Sequence, residues 1–178
     1  SKTGIVGTFG GINIPPVTGF MDGFVWGVNF HNSVKGTNVQ VLGWDADSRE
    51  GLFTNNFSSL DDGRAFAQNL YDEGADIVMP VAGPVGLGSA ALASELGTDN
   101  LKIIGVDADQ YNLDPKNKSV YLTTVLKRMD ATVLAVIESA LDGSFTGGLA
   151  VGTLANNGVG IAPYHDLSGA VSSDLAAE

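Results

Sequence analysis

Cysteine is absent from these 178 residues, which excludes disulfides, thiolate metal sites and cysteine nucleophiles. That absence leaves the compartment open, because many exported proteins also lack cysteine. Basic residues are scarce: 9 against 20 acidic ones, a formal charge of −11. Nucleic acid is therefore not expected as a partner, since its phosphates need a basic surface. The acidic surplus reads as a solvated surface that aids solubility. Histidine occurs only at His31 and His165, each isolated from any second ligand at metal spacing. Surface or capping roles are the expectation for both, with no metal and no cofactor. No run approaches the roughly 20 apolar residues of a membrane-spanning helix. Nor is a signal peptide expected within these residues: Ser1-Lys2-Thr3 leads straight into a strand, as in a processed chain or an excised piece.

Glycine, by contrast, is abundant at 24 residues, and it clusters after apolar runs. Tight strand-to-helix turns want that freedom of φ and close backbone approach. Strands are expected at Thr3 to Phe9, Val39 to Trp44, Asp76 to Val81, Leu101 to Val106 and Val120 to Leu126. Between them run helical patterns. Phe20, Phe24 and Val28 recur at i, i+4 and i+8, and Phe66, Ala67, Leu70 and Tyr71 form the buried face of a helix opened by Ser59 to Asp62 and ended by Gly74. A small-residue helix spans Ser89 to Leu96, with Ser89 as its cap, and Met129, Val133, Val136, Ile137 and Ala140 line the last full helix. This alternation predicts an α/β fold, a doubly wound and mostly parallel sheet. After Gly147 the texture changes: Leu149 to Leu154 and Gly158 to Pro163 read as short strands, and Leu167 to Glu178 starts a helix.

Three tempting motifs fail on spacing. Gly4-Gly7-Gly10-Gly11 is not a dinucleotide fingerprint, and Pro15-Pro16 intervene before the helix. Asp45 to Gly51 carries arginine at position five and its glycine one place late for a calcium loop, so it reads as a solvated acidic loop. Gly86-Leu87-Gly88-Ser89-Ala90 is not a nucleophile elbow. Trp26 and Trp44 read as core or cleft-wall residues, and Asp109 and Lys118 as solvent-facing ones. With no nucleophile in sight, a binding protein is expected rather than an enzyme.

Two strands end in a charge, Gly105-Val106-Asp107 and Leu122 to Lys127. A parallel strand ending so puts that charge at the carboxyl edge of the sheet, where open α/β folds bind ligands. On spacing alone Asp107 is equally a turn or N-cap residue.

Six blocks in order carry a resemblance: Phe9-Gly10-Gly11-Ile12-Asn13-Ile14-Pro15, Tyr71 to Val78, Ala82-Gly83-Pro84-Val85-Gly86-Leu87-Gly88, Ile104 to Gln110, Leu122 to Asp130, and Gly158 to Tyr164. Together they resemble the basic membrane protein family, bacterial solute-binding lipoproteins of the purine nucleoside receptor type that serve ABC importers. The resemblance implies a type I periplasmic-binding-protein lobe, spanning residues 1–145, and a returning segment, 146–178, that belongs to a missing amino-terminal lobe. It implies that Phe57 stacks on a purine, that Asp107 and Lys127 hold the ribose hydroxyls, and that Gly83 and Gly11 let the backbone approach the ligand. Asp45 to Asn55 is longer than the family's usual loop. The implied partners are a small-molecule nucleoside and an ABC transporter permease, with a homodimer of the fragment as a way to cover its cleft face. The implied location is extracytoplasmic, lipid-anchored to the cell membrane in the full-length protein. Two further classes share the architecture: the ligand-sensing lobe of a cytoplasmic transcription regulator, and a flavodoxin-like enzyme.

Overall fold

The computed structural model describes residues 1–176. Apolar runs bounded by glycine form the strands: β1 (Ile5–Gly10), β2 (Gln40–Leu42), a hairpin of β3 (Trp44–Asp45) and β4 (Glu50–Gly51), β5 (Ile77–Val81), β6 (Lys102–Asp107), β7 (Tyr121–Lys127) and β8 (Val159–Ile161). The helices are α1 (Pro15–Lys35), α2 (Leu60–Asp72), α3 (Gly86–Leu96), the short α4 (Gln110–Leu113), α5 (Met129–Asp142) and α6 (Ser173–Ala176). Six strands make one sheet in the order β2-β1-β5-β6-β7-β8, parallel except for the last pair. From β1 the chain goes to β2 on one side and then crosses to β5 on the other. The strand order reverses there, and a crevice opens outside the carboxyl ends of β1 and β5.

One face of the sheet packs on α2 and α3 through Phe9, Leu70, Val78, Val85, Leu92 and Ile103. The other packs on α1 through Val17, Met21, Trp44, Met79, Val81 and Val106. The fully buried α1 positions are Val17, Thr18, Met21 and Asp22. Of the expected stripe, Phe20 and Phe24 are half-buried and pack against this cluster, and together with Val28 they also wall an open apolar groove beside the helix. Burial of Asp22 is made tolerable by partners: Trp44 Nε1 donates to Oδ1 at 2.9 Å and Arg49 Nη1 to Oδ2 at 2.8 Å. The loop expected to be merely solvated is thus a hairpin whose Arg49 clamps α1. Trp44 is core, whereas Trp26 is exposed.

Several expected elements shift. The run Val39 to Trp44 breaks at Gly43 (φ +86°), where an added Cβ would lie 2.0 Å from the Thr8 carbonyl oxygen. Ser89 does not cap α3; its buried hydroxyl donates to the Gly63 carbonyl at 2.8 Å. Ser59 does cap α2, accepting from Asp62 N, and Gly74 follows that helix at φ +101°. Leu149 to Leu154 form no strand. The expected last helix is a short 3-10 turn, His165–Ala170, followed by α6, and its final two residues lie outside the described ones. The apolar face of α5 forms as a helix, but it is exposed from Met129 to Leu141.

Asp76 ties the start of β1 to β5. Its buried carboxylate accepts from the backbone N–H groups of Lys2 and Thr3. Burial alone would push this carboxyl up, but hydrogen bonds from the Ser1 side chain and from those amides outweigh it and hold it below its ordinary 3.8. A carboxyl depressed by folding stabilises fully above its unfolded value, and the contribution is lost as pH falls through the folded value. Asp76→Asn is expected to cost about 1–2 kcal/mol at pH 7. It should also flatten the fall in stability between about pH 5 and pH 2. Urea melts of both proteins across that range check this. Parallel acid-side slopes would show that Asp76 is not a source of the acid sensitivity.

Candidate functional site

The pocket at the switch point is built from strand ends. Val81 closes β5, Val106 and Asp107 close β6, and Lys127 closes β7. Gly83 and Pro84 follow β5, the amino end of α1 contributes Ile14, Pro16, Val17 and Phe20, and Phe57 covers one side. The space is about 600 Å³ and open to solvent.

Four of the five residues marked in the sequence, Phe57, Gly83, Asp107 and Lys127, line this pocket together. Gly11 does not line it. A Cβ there would lie 2.3 Å from the Phe57 ring, so Gly11 makes room for the aromatic wall. Asp107 and Lys127 come from adjacent parallel strands. Asp107 pairs with Leu126, which places Lys127 one residue further toward the pocket edge.

Backbone geometry at Asp107 is unusual. Its φ is +72°, and the Ala108 amide donates to the Val106 carbonyl at 3.0 Å, closing a γ-turn around it. Such a conformation in a non-glycine residue costs about 1–3 kcal/mol and persists where the surroundings enforce it, commonly at binding sites. Charge is simple here: Arg128, next to Lys127, is engaged with Asp130 by two hydrogen bonds of 3.1 Å. Those bonds hold the Asp130 carboxyl below its ordinary value. Lys127 is the cation that lines the pocket.

The amino end of α1 faces the pocket without free donors. Pro15 and Pro16 have no N–H, the Ile14 amide donates to Ile12, and the Val17 amide donates to Ile14 at 2.9 Å. This helix terminus therefore lacks the amides that usually hold an anion.

Sequence reasoning missed Asn56, which sets the Phe57 loop. Its Nδ2 donates to Thr54 O (2.9 Å) and Asp62 Oδ2 (2.8 Å), while Oδ1 accepts from the amides of Ser58 and Ser59. An asparagine just before a helix cap was the available signal. Also missed were the apolar wall of Ile14 and Phe20 and the partnership of Asp109 with His165. Neither of the last two is a bare surface residue: His165 Nε2 donates to Asp109 Oδ2 at 2.9 Å. Lys118 stands over the Tyr111 ring, 5.1 Å from its centre.

Residues 1–176 match the family described as ABC transporter substrate-binding protein PnrA-like. This chain belongs to that family. It is 32% identical over 142 residues to basic membrane protein D of Borreliella burgdorferi, covering 80% of this chain and 37% of that protein. It is 30% identical over 189 residues to the CD4+ T-cell-stimulating antigen of Listeria monocytogenes, covering 100% of this chain and 49% of that protein. The chain thus spans about half, or less, of those relatives. Among solved structures, an ABC transporter solute-binding protein of Aeropyrum pernix superposes with a TM-score of 0.73 at 28% identity, over 89% of this chain and 40% of that one. A transcriptional activator of the comK gene from Bacillus halodurans gives 0.76 at 18% identity, over 99% and 54%, a likeness of fold alone. As a family member, the chain keeps the mixed sheet and helices of periplasmic-binding-protein-like solute-binding proteins. Among the described residues no helix is long and apolar enough to cross a membrane.

Proposed function

We propose that this chain contributes one wall of a solute site in the binding component of an ABC importer, and that the solute is a nucleoside, in the first place a purine nucleoside. The observation that carries the reading is one carboxylate and one ammonium on adjacent strand ends, Asp107 and Lys127, facing a pocket with an aromatic wall at Phe57. Two neighbouring ribose hydroxyls donate to a carboxylate and accept from an ammonium, through charge-assisted hydrogen bonds roughly twice as strong as neutral ones. A flat base fits against Phe57 and the apolar side chains of Ile14 and Phe20. The donor-poor end of α1 argues for a neutral solute over its phosphate. In the longer protein a permease would be the partner, with the site extracytoplasmic and lipid-anchored, residues 1–145 forming the lobe and 146–178, after β8 joins its sheet, returning to a second one. In a two-lobe protein, ligand bridging the cleft would favour the closed form.

Thermal unfolding with a panel of nucleosides, nucleobases, sugars and nucleoside monophosphates tests this. A ligand at a hundredfold excess over its dissociation constant adds about 2.7 kcal/mol of stability. A purine nucleoside should raise the midpoint and its 5′-monophosphate should not. Lys127→Ala should weaken the nucleoside about 10-fold or more, the loss of one charge-assisted bond. A shift with a sugar alone would keep the pocket and overturn the nucleoside.

A further inference from the structure

The segment that leaves α5 is exposed as far as Asn157: among residues 143–157 none is buried, and Leu149 is 91% exposed. It then grips the sheet along β7, the strand that ends in Lys127 and lies next to the Asp107 strand β6. Val159 pairs with Lys127, and the Arg128 amide donates to Gly158 O at 3.0 Å. Thr123 Oγ1 donates to Ala162 O at 2.6 Å. Three residues later His165 reaches the turn after β6. Its Nε2 meets Asp109 Oδ2 at 2.9 Å, and its ring stacks on Tyr111 with centres 4.0 Å apart and planes 11° from parallel. His165 holds φ +43°, a costly conformation that only its surroundings can maintain.

We propose that Asp109 and His165 are positioning residues for Asp107, an inference that rests on the solute site proposed above. Asp109 is two residues beyond the γ-turn at Asp107, and the intervening chain is short of other freedom. The Gln110 amide donates to Thr124 Oγ1 at 3.2 Å, and Gln110 Nε2 to Val106 O at 3.1 Å. With His165 in place, Asp109 is fixed from the far side, and Asp107 is held between a strand and a clamp. The same stretch, 158–165, holds Lys127 through β8. One strap thus sets the spacing of both charges. A solute that must touch both gains from that preorganisation, because the backbone positions that carry the two charges are fixed before binding.

The test measures purine nucleoside affinity by calorimetry and the melting midpoint for His165→Ala, His165→Gln and Asp109→Asn. His165→Ala should weaken binding about fivefold, a moderate coupling between neighbouring residues. His165→Gln, which keeps a planar donor, should restore most of it. In an Asp107→Asn background His165→Ala should have no further effect, since it acts through Asp107. Unchanged affinity in His165→Ala, or a loss that simply adds to that of Asp107→Asn, overturns the proposal. Should the alanine variant fail to fold, Asp109→Asn is read by the same two criteria. If the unmodified chain takes no nucleoside, the solute reading has failed by itself, and positioning is read from the Asp107 amide in a labelled chain. Its HN–Hα coupling reports the positive φ. A coupling changed by His165→Ala and recovered by His165→Gln supports the clamp, and one that stays the same sinks it.

Discussion

Asp107→Gly is expected to abolish most solute binding while leaving the chain at least as stable as before. The two effects come from one residue because Asp107 holds φ +72° at the mouth of the pocket. The strain costs about 1–3 kcal/mol. Glycine removes that cost but brings about 0.5–1 kcal/mol of extra backbone entropy in the unfolded chain. The balance is close to zero or slightly stabilising. Binding should behave differently, since removing the carboxylate would lose the hydrogen bonds proposed to the solute hydroxyls, about 1.5–3 kcal/mol. That corresponds to a loss of about 10- to 150-fold. Asp107→Ala separates the contributions. It loses the carboxylate and keeps a Cβ in the strained turn, so it should bind as poorly as glycine and melt at a lower temperature than glycine. Thermal melts and calorimetric titrations of the three proteins decide the matter. Glycine binding the nucleoside as tightly as aspartate would remove Asp107 from the solute site.

Much of this was legible in the sequence because strands of a parallel sheet are buried on both faces and read as unbroken apolar runs. Where such a run ends in a charge, that charge lies at the carboxyl edge of the sheet, and Asp107 and Lys127 could be placed at one edge without coordinates. What escaped depends on contacts distant along the chain. The α1 face is set by Thr18 and Asp22 as much as by Val17 and Met21, and a stripe of apolar residues cannot reveal a buried carboxylate that answers Arg49 and Trp44. The pairing of Asp109 with His165 spans 56 residues. Leu149 to Leu154 are apolar enough for a strand, yet Asn156 closes the following turn by accepting from Thr153 N and Gly158 N, and no sheet edge meets them. In α5 the helix was readable and its burial was not: periodicity fixes which side chains share a face, and only a packed neighbour covers them. Gly11 shows the same limit at the site. Its need for glycine was visible, but the reason, a Phe57 ring lying against it, was not.

Gly88→Ala is expected to be among the most damaging single methyls that this fold can receive. α2 and α3 cross with their backbones nearly touching: a Cβ on Gly88 would lie 1.8 Å from the Leu60 carbonyl oxygen, and one on Gly63 would lie 1.9 Å from the Val85 carbonyl oxygen. Both obstacles are backbone, so no side chain can rotate away. An ordinary contact needs about 3.5 Å, so the helices would have to part by more than 1 Å. Parting them loosens Ala67, Leu70, Val85 and Leu92 and breaks the Ser89 hydroxyl's bond to Gly63 O. The expected loss is about 3 kcal/mol or more, at or beyond the upper end of what overpacking a core usually costs, because the obstacle is backbone. It should reach the pocket too. The first turn of α2 carries Asp62, which anchors Asn56 and through it the loop of Phe57. The control is the same substitution on α1, where a Cβ on Gly27 would meet nothing within 4 Å. There alanine should stabilise by about 0.5–1 kcal/mol through helix propensity and unfolded-state entropy. Urea melts of the two variants should therefore move in opposite directions. A Gly88→Ala chain as stable as the parent would mean that α2 and α3 stand further apart than their glycines imply.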